Sequence, residues 1–222
     1  MKITKHGQSC LVVSVGYKNV LIDPGTYVFK EEGMKLEDFQ DVELVLFTHE
    51  HFDHFDLENV KKVIELNKPK VIAVKVIRDI LVRENLGIQI TEAQVGKVYK
   101  FEDYKVEAYK STHGPLPTGA APPEVIGYKV TDSDNDSIYS PGDTIKLADT
   151  GATVVTVPIC GEVVLNIKEA KSELLRVGAK IAIPIHYDNP RFPVDVNDFA
   201  PTMADTDIDV KILKWGESIE IN

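Results

Sequence analysis

Three histidines and an aspartate lie within six residues, at His49, His51, Asp53 and His54, directly after the apolar run Val42–Phe47. In an extended chain, side chains two residues apart share a face, so the first three can project together while the fourth turns off that face. Imidazole nitrogen and carboxylate oxygen are common ligands of zinc and related divalent ions. The segment therefore predicts metal binding, and one turn of chain could serve two neighbouring ions.

Three further potential ligands follow other predicted strands. His113 comes after the strand-like residues 104–110, and His186 follows another apolar run. Asp143 lies in a Pro-Gly-Asp-Thr turn just past a short predicted strand at residues 137–139. Ligands delivered from the ends of several strands at one edge of a sheet can converge in space. We therefore expect these three residues to join the His-rich segment in one site.

The pattern resembles the metallo-β-lactamase superfamily of metal-dependent hydrolases, and the resemblance covers nearly the whole chain. It rests on five elements in the family's order: Asp23 within residues 21–25, the motif at 48–54, His113, the Gly-Asp-Thr at 142–144, and residues 184–187 around His186. The opening residues and the Pro-Ile-Cys-Gly at 158–161 look like the branch of small, stand-alone hydrolases that includes ascorbate-phosphate lactonase-like proteins. The resemblance implies an α/β fold, the four-layer αββα sandwich, in a single domain spanning residues 1–222.

The resemblance also implies a binuclear metal site. Carried over position by position, it assigns the first metal to His49, His51 and His113, the second to Asp53, His54 and His186, and a bridging role to Asp143. Both ions would be divalent, with zinc expected before manganese or iron. A water or hydroxide between them would be the nucleophile, since a bound dication lowers the pKa of water from about 15.7 to about 7. Asp53 and Asp143 are thereby the candidate catalytic carboxylates.

Residue types at individual positions indicate which branches of the superfamily this chain resembles. The superfamily's flavin-linked diiron oxygen reductases typically have a carboxylate where this chain has His51, so the resemblance favours hydrolysis over oxygen reduction. The antibiotic-hydrolysing members tend to have cysteine or a non-bridging residue where this chain has Asp143, and they are exported. This chain shows no export signal, so we do not expect penicillin-type substrates. Asp23 either orients a ligand or closes an Asp-Pro-Gly turn.

Two residues near the predicted site have two interpretations each. Relatives in this branch often carry a Gly-His pair after the first strand, whereas here the pair is Gly7-Gln8, with His6 just before it. We expect His6 to be a surface residue at a strand end, although it could supply the imidazole from a shifted position. Cys160 is expected to be a small buried residue, with approach to the site as the alternative.

Specificity has to come from residues beside the metals. Four polar residues follow His186 within reach of the second metal: Tyr187, Asp188, Asn189 and Arg191. We expect Tyr187 and Arg191 to bind substrate. Arg191 would clamp a phosphate or carboxylate, unless it forms only a surface ion pair. The Pro- and Gly-rich residues 114–123 begin beside His113 and form either one wall of the pocket or a plain connector.

The composition agrees with a small-molecule enzyme. The chain has 222 residues, 43% of them hydrophobic, enough for one domain to bury a core. Its formal net charge of −10 argues against a nucleic-acid partner, because phosphate backbones are bound by Lys and Arg clusters. The 2 cysteines make no disulfide framework, and no stretch has the roughly 18 apolar residues of a membrane span. We therefore expect a cytoplasmic protein without membrane contact; the sequence has no interface signature that predicts an oligomeric state.

The periodicity predicts alternating strands and helices, which favours two packed sheets with helices outside. The expected strands are residues 10–15 and 19–23, paired as a hairpin around Gly16, then 71–74, 104–110 after a turn at Asp103, 125–130, 137–139, 153–157 and 180–185. Three helices are expected. The first begins after Asp56 and ends before Lys68-Pro69, the second covers residues 78–85, and the third runs from Asn166 to Gly178. Residues 27–40 are expected to be a solvated loop with a short helix.

These observations favour a hydrolase that cleaves a phosphodiester, lactone or related ester. Its substrate would be a small molecule, and an anionic one if Arg191 contacts it. The first alternative is an iron-dependent oxidoreductase acting on a thiol or persulfide in the same metal cage. The second is a non-catalytic metal-binding protein that keeps the cage for folding only.

Overall fold

The computed structural model describes residues 1–30, 35 and 38–221. In chain order, its strands are β1 (Lys2–Lys5), β2 (Leu11–Val15), β3 (Lys18–Ile22), β4 (Val42–Phe47), β5 (Lys70–Ala73), β6 (Ile90–Glu92), β7 (Val98–Lys100), β8 (Tyr104–Ser111), β9 (Val125–Asp132), β10 (Ser137–Ser140), β11 (Val154–Pro158), β12 (Ile181–Ile185), β13 (Asp209–Val210) and β14 (Ser218–Glu220). They form two seven-stranded sheets, in the orders β14-β1-β2-β3-β4-β5-β6 and β13-β12-β11-β10-β9-β8-β7.

Helices cover the outer faces of the two sheets. They are α1 (Thr26–Lys30), α2 (Leu57–Asn67), α3 (Lys75–Arg83), α4 (Ile167–Arg176) and α5 (Phe199–Met203), with a 3-10 turn at Val196–Asp198. Helix α3 contacts β5 and β6 of the first sheet, whereas α4 contacts β11 of the second sheet and is contacted by α5. Apolar side chains of both sheets, such as Leu21 and Val130, belong to one continuous buried core. The predicted αββα sandwich is therefore confirmed.

The strand directions bring several strand ends to common edges. In the first sheet β3 and β4 are parallel, so Asp23 and Thr48 emerge side by side. In the second sheet β8 and β10 are both antiparallel to β9 and so run the same way, and β10, β11 and β12 are mutually parallel. The carboxyl ends of β8, β10 and β12 therefore lie at one edge, where their following residues can meet.

Local signals fix several of the element boundaries. The hairpin of β2 and β3 turns at Gly16 as predicted, with the register Leu11↔Ile22. Asp56 caps α2 by accepting a hydrogen bond from the Asn59 amide. Asn166 and Glu169 form the capping box of α4, which ends before Gly178. Side chains that cap a helix satisfy amide groups left without a helical partner, so they can be recognised from sequence.

Other boundaries differ from the prediction. Helix α3 begins three residues earlier than expected, because its N-cap, Val74, makes no side-chain hydrogen bond and so leaves no signal in the sequence. The helix also ends two residues earlier than expected, at Arg83. The short elements β6, β13, β14 and α5 were not predicted. Strand β14, for example, is only three residues long and depends on pairing with β1, where Ile3 lies opposite Ile219. Of the predicted loop at residues 27–40, the short helix α1 is present, while residues 31–34 and 36–37 lie outside the described part of the chain.

Candidate metal centre

The seven predicted ligands meet where the two sheets' strand ends converge. Their side chains fall into two groups in which every potential ligand atom lies within 4.8 Å of the others. The first group contains His49, His51, His113 and Asp143, and the second contains Asp53, His54 and His186. The two groups contain the same histidines and Asp53 as the division that the family resemblance implies, except that Asp143, expected to bridge both metals, belongs to the first group.

Asp143 lies at the centre of the cluster. Its Oδ1 is 3.1 Å from Nε2 of His54, and its Oδ2 is 3.8 Å from Nε2 of His49. The same Oδ2 lies 3.5 Å from Nε2 of His113 and 3.3 Å from Nε2 of His186. Four imidazoles from three separate parts of the chain thus direct the same nitrogen at one buried carboxylate.

These nitrogens have no conventional partner. Within the described part of the chain, Nε2 of all four imidazoles and Oδ1 of Asp143 are buried without a hydrogen-bond partner: His49, His54, His113 and His186. Leaving a buried polar atom unpaired costs about 1–3 kcal/mol, so a cluster of such atoms would be unfavourable by itself. Divalent cations would satisfy all of them, and the donor set of imidazole and carboxylate fits such ions.

The opposite ring nitrogen of each of these imidazoles is occupied. Nδ1 of His54 lies 2.9 Å from Asp23 Oδ2, and Nδ1 of His113 lies 2.8 Å from the carbonyl oxygen of Gly114. Both acceptors require a proton on Nδ1, which leaves Nε2 unprotonated and able to bind metal in the neutral ring. Hydrogen bonds of this kind also fix the ring orientation before an ion binds.

The Nδ1 atoms of the other two imidazoles, His49 and His186, contact a hydroxyl and a thiol. Nδ1 of His49 lies 3.0 Å from Thr48 Oγ1, whose hydroxyl donates to Asp23 Oδ2 over 2.7 Å. Asp23 therefore supports one ring directly and another through a hydroxyl, which confirms the interpretation that it orients ligands. Nδ1 of His186 lies 3.1 Å from Cys160 Sγ.

Burial and charge set the protonation of the cluster. Burial by itself would raise the pKa of Asp143, but the imidazoles of His186 and His54 lower it well below its ordinary value. Burial would likewise lower the pKa of His54, but Asp143 and Asp23 outweigh it and raise this pKa to about 10. The carboxylates therefore favour the charged form of His54 in the metal-free protein, in which Nε2 also carries a proton and faces Asp143 Oδ1. A bound cation would displace that proton from Nε2 and replace its charge.

Two glycines allow the ligand loops to approach each other closely. A Cβ atom on Gly25 would lie 1.9 Å from the backbone oxygen of Asp53. Gly142 has a φ of +66°, and a Cβ there would lie 2.7 Å from Cβ of Thr48. The residue before Asp143 must therefore be small and left-handed, a conformation that favours glycine.

A cavity of about 520 Å³ opens beside the cluster. Apart from the metal-site residues, it is lined by Phe52, Leu116, Pro117, Thr118, Val163, Arg191 and Phe192. The Pro-rich residues 114–123 thus contribute one wall, as one of the two interpretations predicted. The Arg191 guanidinium lies over the Phe52 ring, 4.7 Å from its centroid, at the edge of this largely apolar space.

Three residues lie elsewhere than predicted. Tyr187 donates its hydroxyl to the carbonyl of Leu213 and is not among the residues lining the cavity within the described chain, so its expected substrate contact does not fit this structure. His6 is only 6% exposed and packs edge-on against Phe39, so the surface interpretation was wrong. Cys160 is half-buried and touches His186, so here the alternative was right.

Two site residues were not assigned a role from the sequence. Gln8 was noted only as a departure from the family's Gly-His pair, yet its Nε2 donates to Asp53 Oδ2 over 2.9 Å. Asn189, named only as lying near the second metal, donates to the same oxygen over 3.1 Å. A polar residue beside a predicted ligand is a weak signal, because the contact exists only once the two loops have met.

Among the described residues, no helix has the length and apolar character needed to cross a lipid bilayer.

Comparison with known proteins gives a family, full-length relatives and a similar solved structure. A family model described as "Beta-lactamase superfamily domain" matches residues 2–186. A "UPF0173 metal-dependent hydrolase" of Methanoregula boonei is 30% identical, over 100% of this chain and 98% of the relative. A protein with the same description from Pyrococcus furiosus is 28% identical over 100% of both chains. Among solved structures, Igni18, "a novel metallo hydrolase" from Ignicoccus hospitalis, superposes with a TM-score of 0.82 at 22% identity, covering 100% of this chain and 99% of that one.

Proposed function

The chain belongs to the beta-lactamase superfamily, and on that basis we propose that it is a metal-dependent hydrolase with a binuclear site that cleaves an ester-type bond in a small molecule. Phosphodiesters and lactones are the bond classes we favour. Relatives that align over the full length are described as metal-dependent hydrolases, which supports the general activity. The binuclear site is supported by the geometry of this chain, and the bond type by the charge of the site.

One observation carries the proposal. Four imidazoles, those of His49, His54, His113 and His186, present unpartnered Nε2 atoms around Asp143 within the described chain. Their Nδ1 atoms are held by other groups, so the rings cannot turn to satisfy these nitrogens without losing existing contacts. Such an arrangement suits cation binding far better than a structural hydrogen-bond network.

The charge of the site favours substrates that carry a negative charge. Its seven ligands carry only two carboxylates, Asp53 and Asp143, so two divalent ions would leave the centre with a net positive charge. Arg191 adds a further cation at the edge of the cavity. A phosphodiester, or the carbonyl of a lactone with an anionic substituent, would be attracted to such a site.

Bound divalent ions would supply a nucleophilic water at neutral pH and would polarise the scissile bond. The chain's own residues position that chemistry. Asp143 faces imidazoles of both ligand groups, while Phe52, Leu116 and Phe192 give the cavity an apolar lining. Arg191 would bind an anionic part of the substrate through charge-assisted hydrogen bonds.

The metal is expected to be zinc. Imidazole suits zinc, and the first group offers three of them, whereas the carboxylate in the second group also accepts manganese or iron. Elemental analysis of the purified protein would identify the ions and their number. We also infer a cytoplasmic setting, since Cys10 and Cys160 are both free thiols.

The function is tested with the intact chain. We expect two ions per chain and hydrolysis of bis-p-nitrophenyl phosphate or of a lactone with added zinc or manganese. His49→Ala and Asp143→Ala should lose both metal and turnover. Tyr17→Ala, at a residue that is 99% exposed, should behave like the unmodified protein. Full activity after complete removal of metal would overturn the proposal.

Two alternatives correspond to other outcomes of the same measurements. Iron in the purified protein together with oxygen uptake on adding a thiol or persulfide would indicate an oxidoreductase. Tightly held metal without turnover on a broad substrate panel would indicate a non-catalytic metal-binding protein. Either result would replace the hydrolase assignment.

A further inference from the structure

Asp53 is held by two neutral amide side chains from distant parts of the chain. Gln8, in the loop between β1 and β2, donates from Nε2 to Asp53 Oδ2 over 2.9 Å. Asn189, in the loop after β12, donates from Nδ2 to the same oxygen over 3.1 Å. All three residues are buried, with exposures of 0% for Gln8, 6% for Asp53 and 3% for Asn189.

From this geometry we propose that Gln8 and Asn189 are positioning residues for the second metal ion, which fix the Asp53 carboxylate so that the group of Asp53, His54 and His186 can bind it. The proposal rests on the binuclear site of the proposed function. It concerns one of the two ions only.

The orientation of Gln8 is determined by its partner. A carboxylate accepts hydrogen bonds only, so the amide nitrogen of Gln8, not its oxygen, must face Asp53. The remaining Oε1 is buried without a hydrogen-bond partner within the described chain. Gln8 therefore makes its donor bond to Asp53 at the cost of an unsatisfied acceptor, which indicates that the donor bond is the more important contact.

The backbone of Gln8 is held in place as well. Gln8 has a φ of +59°, in the left-handed region, which costs about 1–2 kcal/mol for a residue with a Cβ atom. Its carbonyl accepts a hydrogen bond from the His186 amide over 3.3 Å. A Cβ on the preceding Gly7 would lie 2.0 Å from the Trp215 ring, so this loop is packed closely against the C-terminal segment. One residue thus contacts two ligands of the second group, Asp53 by its side chain and His186 by its backbone.

Asn189 links the same carboxylate to the cavity. Its Oδ1 accepts a hydrogen bond from the Arg191 amide over 2.9 Å while its Nδ2 donates to Asp53. The side-chain amide is therefore fixed at both ends. Arg191, the cation proposed to bind substrate, is two residues away on the same short loop, so its position and that of Asp53 depend on the same hydrogen bonds.

The two amides touch only one ligand group. The first group is oriented by Thr48 and Gly114, and within the described part of the chain no hydrogen bond joins the side chains of Gln8 and Asn189 to it. Removing either amide should therefore weaken the binding of the second ion and leave the affinity for the first ion unchanged. Loss of a hydrogen bond that supports a metal ligand typically reduces metal affinity by about 10- to 100-fold.

The test is a zinc titration of the metal-free protein by calorimetry with a competing chelator, together with metal counts by mass spectrometry. The variants are Gln8→Leu and Asn189→Leu, with His54→Ala as the reference for a lost second ion. Gln8→His keeps an N–H donor and should retain the second ion, whereas Gln89→Leu makes the same change at an exposed residue and should alter nothing.

We expect the two leucine variants to bind the first zinc with unchanged affinity and the second about 10- to 100-fold more weakly. Retention of the first ion also shows that each variant is folded. Unchanged affinity for the second ion would overturn the inference, as would equal weakening of both ions. A single ion in the unmodified protein, unaffected by His54→Ala, would instead overturn the binuclear function itself.

Discussion

Asp23 Oδ2 lies 2.9 Å from Nδ1 of His54, and both side chains are fully buried. The same carboxylate also accepts hydrogen bonds from the Thr48 amide and hydroxyl, over 2.8 Å and 2.7 Å. Asp23 thus joins the end of β3 to the beginning of the His-rich turn after β4. It orients one ring of each proposed metal site, His54 directly and His49 through the Thr48 hydroxyl.

Replacing Asp23 should therefore weaken the binding of both metal ions. We expect Asp23→Ala to reduce zinc affinity by about 10- to 100-fold, because both rings lose the group that fixes their orientation. Zinc titration against a competing chelator measures this effect. Asp207→Asn, at an exposed residue, is the control. Unchanged affinities in Asp23→Ala would show that the rings are oriented by packing alone.

Gly142 should be far less tolerant of a side chain than another left-handed glycine. Gly151 has a φ of +60° and open space around it, so Gly151→Ala should cost only the left-handed strain, about 1–2 kcal/mol. Gly142→Ala meets the Thr48 side chain as well and should cost about a further 1–3 kcal/mol from overpacking. Urea unfolding of both variants in the metal-free form compares the two free energies. Equal losses would mean that the loop after β10 can move away from Thr48.

Arg191 should affect binding more than chemistry. It stacks on Phe52 at the cavity edge and is exposed, so solvent screening limits its contribution to roughly 1 kcal/mol, a factor of about 5. We expect Arg191→Met to raise KM for anionic substrates about that much, to leave kcat nearly unchanged, and to spare neutral substrates. Arg83→Met, also exposed, is the matched control. Equal effects on anionic and neutral substrates would remove Arg191 from substrate recognition.

His6 should make the folded protein sensitive to mild acid. Burial is the main cause that lowers its pKa to about 4, with Asp38 opposing it. An unfolded chain binds this proton near pH 6.5, whereas the folded protein binds it only near pH 4, so falling pH favours unfolding across that window. The loss is at most about 3 kcal/mol from a shift of this size.

The measurement compares His6→Phe with the unmodified protein, both metal-free so that ion release plays no part. The free energy of unfolding of His6→Phe should fall less steeply between pH 6.5 and pH 4. Since His6 packs against Phe39, an aromatic replacement keeps that contact type. Parallel pH profiles would mean that His6 is protonated at its ordinary pKa in the folded state.

The sequence by itself determined the chemistry of the site and much of the local structure. The motif at residues 48–54 contains the metal-binding residue types themselves. Alternation of apolar and polar residues predicts strands, and capping residues such as Asp56 and Asn166 mark helix starts, through contacts between near neighbours. The layered fold followed because such elements can bury their apolar faces in only a few ways. Signals of this kind are local, so they can be read without coordinates.

Only the tertiary structure decided which side chains reach the site. Tyr187 is adjacent to His186 in sequence yet is directed towards Leu213, whereas Gln8 is 45 residues from Asp53 and contacts it. Cys160 touches His186 because β11 and β12 are parallel neighbours and their ends coincide. Side-chain direction at a strand end depends on backbone angles such as the left-handed φ of His186, +58°, and on which distant loop packs against it. Those quantities are fixed when the sheets pack together, and no local pattern of residues contains them.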